Sequence, residues 1–74
     1  MALTAEQKVK DRIKVITRKT KHDLEDAGIT QQAVADAAGI SQGSVSNQFR
    51  RGQLTFEVFL AATYLLEDKH YWGE

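Results

Sequence analysis

Residues 41–53 read Ser, Gln, Gly, Ser, Val, Ser, Asn, Gln, Phe, Arg, Arg, Gly, Gln: amides, hydroxyls and two guanidinium groups, with no lysine and no carboxylate. A Gln or Asn amide sets a donor beside an acceptor and can pair bidentately with N6 and N7 of adenine. An arginine fork suits phosphate oxygens. Read as a helix, this stretch turns Val45 and Phe49 inward, one turn apart on the same face. Gln42, Gly43, Ser44, Ser46, Asn47 and Arg50 are then left to point outward or sideways. A helix kept only for solubility would carry Lys and Glu, which are good helix formers, and neither occurs here. Gly43 would let the backbone approach a flat surface closely. Gln31 and Gln32, at the start of the preceding helix, stand where free backbone N–H groups favour a phosphate. Arg50, Arg51 and Gln53 would clamp a sugar–phosphate backbone where the second helix ends.

Other chemistries find little support. Gly39-Ile40-Ser41-Gln42-Gly43 spells G-x-S-x-G, but a nucleophile elbow needs a preceding strand, a partner His and Asp, and an α/β sheet. Here Ala37-Ala38 precede it in a helix, and Ser41 reads as a helix cap. His22 and His70 lack the spaced partners of a metal site, and no Gly-rich phosphate loop occurs. With no cysteine, disulfides, thiolate chemistry and Cys-based zinc sites are excluded. The expectation is a protein that is not an enzyme, with no cofactor and no metal.

The helices that must position these groups are marked by their ends. Ile29-Thr30-Gln31-Gln32-Ala33-Val34 is echoed by Ile40-Ser41-Gln42-Gly43-Ser44-Val45. Each repeat has an apolar residue, a hydroxyl N-cap, and Val at the fourth helical position: a cap with a hydrophobic staple. Ala38-Gly39 closes the first of the pair. Two short helices, about 30–38 and 41–50, joined by a very short turn, make a helix-turn-helix.

Upstream, Thr4 and Gln7 form a capping box. Val9, Ile13, Ile16, Thr20, Leu24 and Ala27 then trace one stripe of an amphipathic helix ending at Gly28. Thr20 with Asp23 would also allow a break near residues 17–21. Downstream, Thr55 caps a last helix whose core stripe is read as Phe56, Phe59, Ala62, Thr63 and Leu66. Val58, Ala61 and Leu65 fall on its far side, so this helix is apolar nearly all round. Val58, Leu65, Tyr71 and Trp72 are therefore expected to line a homodimer interface.

Seventy-four residues is one small domain, spanning 1–74, with a modest core. Ten basic and ten acidic side chains cancel, yet residues 1–22 hold seven basic against two acidic, while 23–40 hold four acidic and no basic. Lys10, Lys14, Arg18 and Lys21 flank one side of the first helix's stripe. A local field of this kind can draw a polyanion despite zero net charge. No apolar run approaches the ~20 residues of a membrane span, and no basic-then-apolar segment opens the chain. Cytoplasm or nucleoid is the expected compartment.

Residues 29–66 resemble the phage-repressor helix-turn-helix family of lambda-repressor, Cro and CI type. The resemblance rests on Thr-Gln-x-x-Val-Ala (Thr30 to Ala35), Gly39-Ile40-Ser41, Val45-Ser46-Asn47 and Arg51-Gly52 before an apolar helix. It implies an all-α domain of four or five helices, with Gln31 on the family's phosphate-contacting glutamine. Gln42, Gly43 and Asn47 fall on its base-facing positions. Two features depart from the family: Val45 to Gly52 is one residue longer, and Gln48 stands where an apolar residue is usual. The expected function is sequence-specific binding of double-stranded DNA at an inverted-repeat operator. A homodimer would act by promoter occlusion, as a phage or prokaryotic repressor in the host cytoplasm. No linker-like tail follows, so a free-standing domain is expected rather than half of a longer repressor. The rival expectation is a protein-interaction module, antirepressor- or antitoxin-like, using its C-terminal helix.

Overall fold

Four helices follow from four sets of local end signals. A computed structural model describes the backbone of residues 4–72 and the side chains of residues 4–68. The helices are α1 (Ala5–Asp26), α2 (Gln31–Ala38), α3 (Gln42–Arg51) and α4 (Phe56–Trp72), and no strand occurs among the described residues. Thr4 Oγ1 accepts from the Gln7 N–H while Gln7 Oε1 accepts from the Thr4 N–H, both at 3.2 Å. Thr30 and Ser41 cap α2 and α3 by accepting from the N–H groups of Ala33 and Ser44 at 3.1 and 3.2 Å. No helix among the described residues is long and apolar enough to cross a membrane.

The turn between α2 and α3 is built at Gly39, whose φ of 72° is left-handed. Its N–H donates to Asp36 O, and the Ile40 N–H donates to Ala35 O at 3.1 Å. The last carbonyls of α2 are thereby satisfied and Ile40 is delivered to the core. Gly52 repeats the device at the end of α3, with φ 74°. A Cβ added there would lie 3.1 Å from Lys14 Cγ, so α1 crosses directly over the end of α3. Gln48, half-buried on α3, links that helix to the next. Its Oε1 accepts from the Thr55 N–H at 2.9 Å, and Thr55 Oγ1 in turn caps α4 at the Val58 N–H.

The core is assembled from Leu24, Val34, Ala35, Val45, Phe49, Val58, Ala61 and Ala62. α2 packs on both α3 and α4, and α1 lies against α4 and the end of α3. The inward pairs read from the sequence in α2 and α3 are in place: Val34, Ala35 and Val45 are fully buried and Phe49 nearly so.

Two sequence expectations are corrected, and one choice the sequence left open is decided. α1 runs unbroken through residues 17–21. Its buried face is Thr17, Thr20 and Leu24, and the Thr17 hydroxyl donates back to Ile13 O at 2.7 Å, which permits its burial. Val9 and Ile16 are 54% and 48% exposed: Val9 lies near the start of a helix of ~33 Å, and Ile16 borders an open apolar hollow with Leu54, Phe56 and Phe59.

The phase of α4 also differs. Val58 is fully buried in the domain's own core and so offers no dimer surface, while Leu65 is half-buried against that core. Phe56 lies instead at 74% exposure, in a row with Leu60 at 48% and Tyr64 at 63%. A helix apolar on nearly all sides carries no phase in its pattern; the close fit of Ala61 and Ala62 against the core sets it. The side chains of Tyr71 and Trp72 lie outside the described residues.

Candidate nucleic-acid interface

α3 turns Val45 and Phe49 into the core and thereby fixes what its opposite face presents. Gln42, Gly43, Ser44, Asn47 and Arg50 are exposed there, with no carboxylate and no lysine among them. Gly43 meets nothing in the domain except Ser41 Oγ, 4.0 Å from where a Cβ would stand. Helical glycine costs about 0.5–1 kcal/mol relative to alanine, and no contact within the domain calls for it. Ser44 shares its hydroxyl with Ser41 at 3.0 Å, so its free hydrogen-bonding capacity is partly held by the cap.

Ser46 is placed differently from the expectation. It is half-buried and donates to Gln31 Oε1, tying α3 to the first residue of α2. Of the residues expected to read bases, Gln42, Gly43, Ser44 and Asn47 are exposed, and Ser46 is half-buried as a brace between the two helices. The brace uses the amide oxygen of Gln31, an acceptor, and not its N–H donors. Gln32, also expected to meet phosphate, is exposed and engaged on its own helix. Its Nε2 donates to Asp36 Oδ1 at 2.9 Å, beside a carboxylate that repels phosphate. Asn47 Oδ1 accepts from the guanidinium of Arg50, so the two side chains stand as a coupled pair on the exposed face. Arg51 and Gln53 are exposed just beyond them.

The structure adds a feature that the sequence pattern only hinted at. A cleft of about 490 Å³ separates α1 from the end of α3, bordered by Lys14, Arg18, Lys21, Arg50 and Arg51. Its floor includes Thr17, Phe49 and Gly52, and no carboxylate lines it. Lys21 also borders an adjoining hollow with Glu25, Thr30 and Gln31. The spacing of Lys14, Arg18 and Lys21 places them on one side of α1, which was visible in the sequence; that this side meets α3 was not. Lys10 and Lys19, by contrast, pair with Glu6 at 3.6 Å and Asp23 at 3.0 Å. His22 sits exposed, 3.9 Å from Glu25.

Compared with known proteins, the chain matches no family model, no curated protein and no solved structure at a significant level.

Proposed function

We propose that this chain is a sequence-specific DNA-binding regulator of the lambda-repressor-like helix-turn-helix kind. It would lay α3 in the major groove and α2 across the backbone, acting as a homodimeric repressor by covering a promoter. One observation carries this: the exposed face of α3 offers amides and hydroxyls, with a glycine that its own fold does not require. The major groove displays a distinct donor and acceptor pattern for each base pair, and side chains of this kind read it. In-vitro selection from a random duplex pool is the direct test. Enrichment of an inverted repeat with half-site centres about 34 Å apart is expected; a folded sample that enriches no motif at low salt would remove the reading.

Gly43→Ala separates binding from folding. The folded state should gain about 0.5–1 kcal/mol in urea denaturation, since the added methyl meets open space. Affinity for the selected duplex should fall, because the methyl holds the helix off the base edges. A variant that is stabilised and binds as before would show that α3 does not approach bases at that point.

For the dimer, the exposed row Phe56, Leu60 and Tyr64 on α4 takes the place of the buried Val58. Leu60→Asp should halve the mass seen by sedimentation. It should also weaken binding to the full repeat about 100-fold, because linked half-sites lose their shared avidity. The same row supports the second reading, a module that docks another protein through α4. A chain that stays monomeric and selects no duplex would favour that reading.

A further inference from the structure

We propose that the cleft between α1 and the end of α3 is a phosphodiester-binding site, making α1 a third element that tracks the nucleic-acid backbone. This rests on the docking of α3 in the major groove and extends it to residues outside the helix-turn-helix. Lys14, Arg18, Lys21, Arg50 and Arg51 border one hollow, and among the described residues none of the five forms an ion pair. Gathering like charges is unfavourable unless an anion joins them. Arg50 and Arg51 have a local reason to be where they are, since cations in a last turn complement the helix dipole. That reason does not reach Lys14, Arg18 and Lys21, which lie in the body of α1.

Of the other cations of α1, Lys10 and Lys19 each face a carboxylate one turn away, while Lys8 and Arg12 form no ion pair among the described residues and do not line the cleft. Three of the five unpaired cations of α1, Lys14, Arg18 and Lys21, stand on the side that meets α3, and there they join Arg50 and Arg51. Gly52 makes the meeting possible, because a side chain there would push against the Lys14 stem. Beyond Lys21 the adjoining hollow reaches Gln31 but is also lined by Glu25, so the carboxylate-free stretch is the cleft itself. With α3 in the groove, this stretch lies along one strand at the groove's edge. The ligand is therefore the charged backbone and not the bases, and its contribution should be blind to sequence.

The test compares two double variants that lose the same charge. Lys14→Gln with Arg18→Gln should lower the slope of log K against log salt by about 1–2, near 0.9 per phosphate contact. Affinity for selected and unrelated duplexes should fall together. Lys10→Gln with Lys19→Gln should leave the slope unchanged, and Lys14→Arg with Arg18→Lys should retain it, which guards against a folding defect. Equal changes in the two glutamine variants, or none in the first, would overturn the site. If the wild-type protein binds no duplex, the groove-reading function fails by itself. Titration with inorganic pyrophosphate then decides the cleft. Saturable shifts of the Lys14, Arg18 and Gly52 amides would support a phosphate site serving another polyanion, and their absence would remove it.

Discussion

Replacing Asn47 with alanine is expected to weaken binding to the selected duplex by about 1–3 kcal/mol, some 5- to 150-fold, and to leave random duplex untouched. The size follows from losing one bidentate base contact. The Asn47–Arg50 pair sharpens the expectation. If Arg50 lets go on binding, Asn47 has both its acceptor and its donors free for adenine. If it holds on, Asn47 steadies the guanidinium, which can then fork onto O6 and N7 of guanine. A double-mutant cycle with Arg50→Ala tells these apart. Strong coupling, with the loss concentrated at a G·C position, indicates that the pair acts as a unit. Additive losses, with relaxation at an A·T position, indicate release. A folded Asn47→Ala protein that binds its site unchanged would show that α3 presents a different face to DNA.

Phe49→Ala is expected to be the most damaging single truncation in the domain, costing about 3–5 kcal/mol. A chain of this length has a total stability of only ~4–11 kcal/mol, so the variant should be largely unfolded or close to it. Phe49 is 8% exposed and borders the hollows beneath both α1 and the start of α2, so its loss opens space that three helices share. Phe56→Ala is the informative comparison. The sequence pattern assigns both rings to the core, yet Phe56 is 74% exposed. Its truncation should change stability by no more than about 0.5 kcal/mol when measured at a concentration where the chain is monomeric. Urea denaturation followed by circular dichroism provides both values. Similar losses for the two variants would mean that the phase of α4 is other than described.

The expectations that match the structure are those in which the interacting groups are close in sequence. Thr4 with Gln7, Thr30 with Ala33 and Ser41 with Ser44 are each three residues apart, so residue type and spacing are enough to place a helix start. The glycine ends at 39 and 52 close on carbonyls within five residues. Val45 and Phe49 lie on a helix with one clearly apolar side, so their inward direction, and the outward direction of Gln42 and Asn47, required no knowledge of neighbours.

By itself, then, the amino-acid sequence determined where most helices begin and end, and which face of α3 is polar and open. The tertiary structure alone decided that Val58, and not Phe56, enters the core. It also decided that Ser46 braces Gln31, that Gln32 turns to Asp36, and that three cations of α1 stand over the end of α3. The division has one physical cause. Capping and turn geometry are satisfied within a few residues of the chain. The rotation of an all-round apolar helix, and the meeting of charges on separate helices, depend instead on how closely distant segments approach.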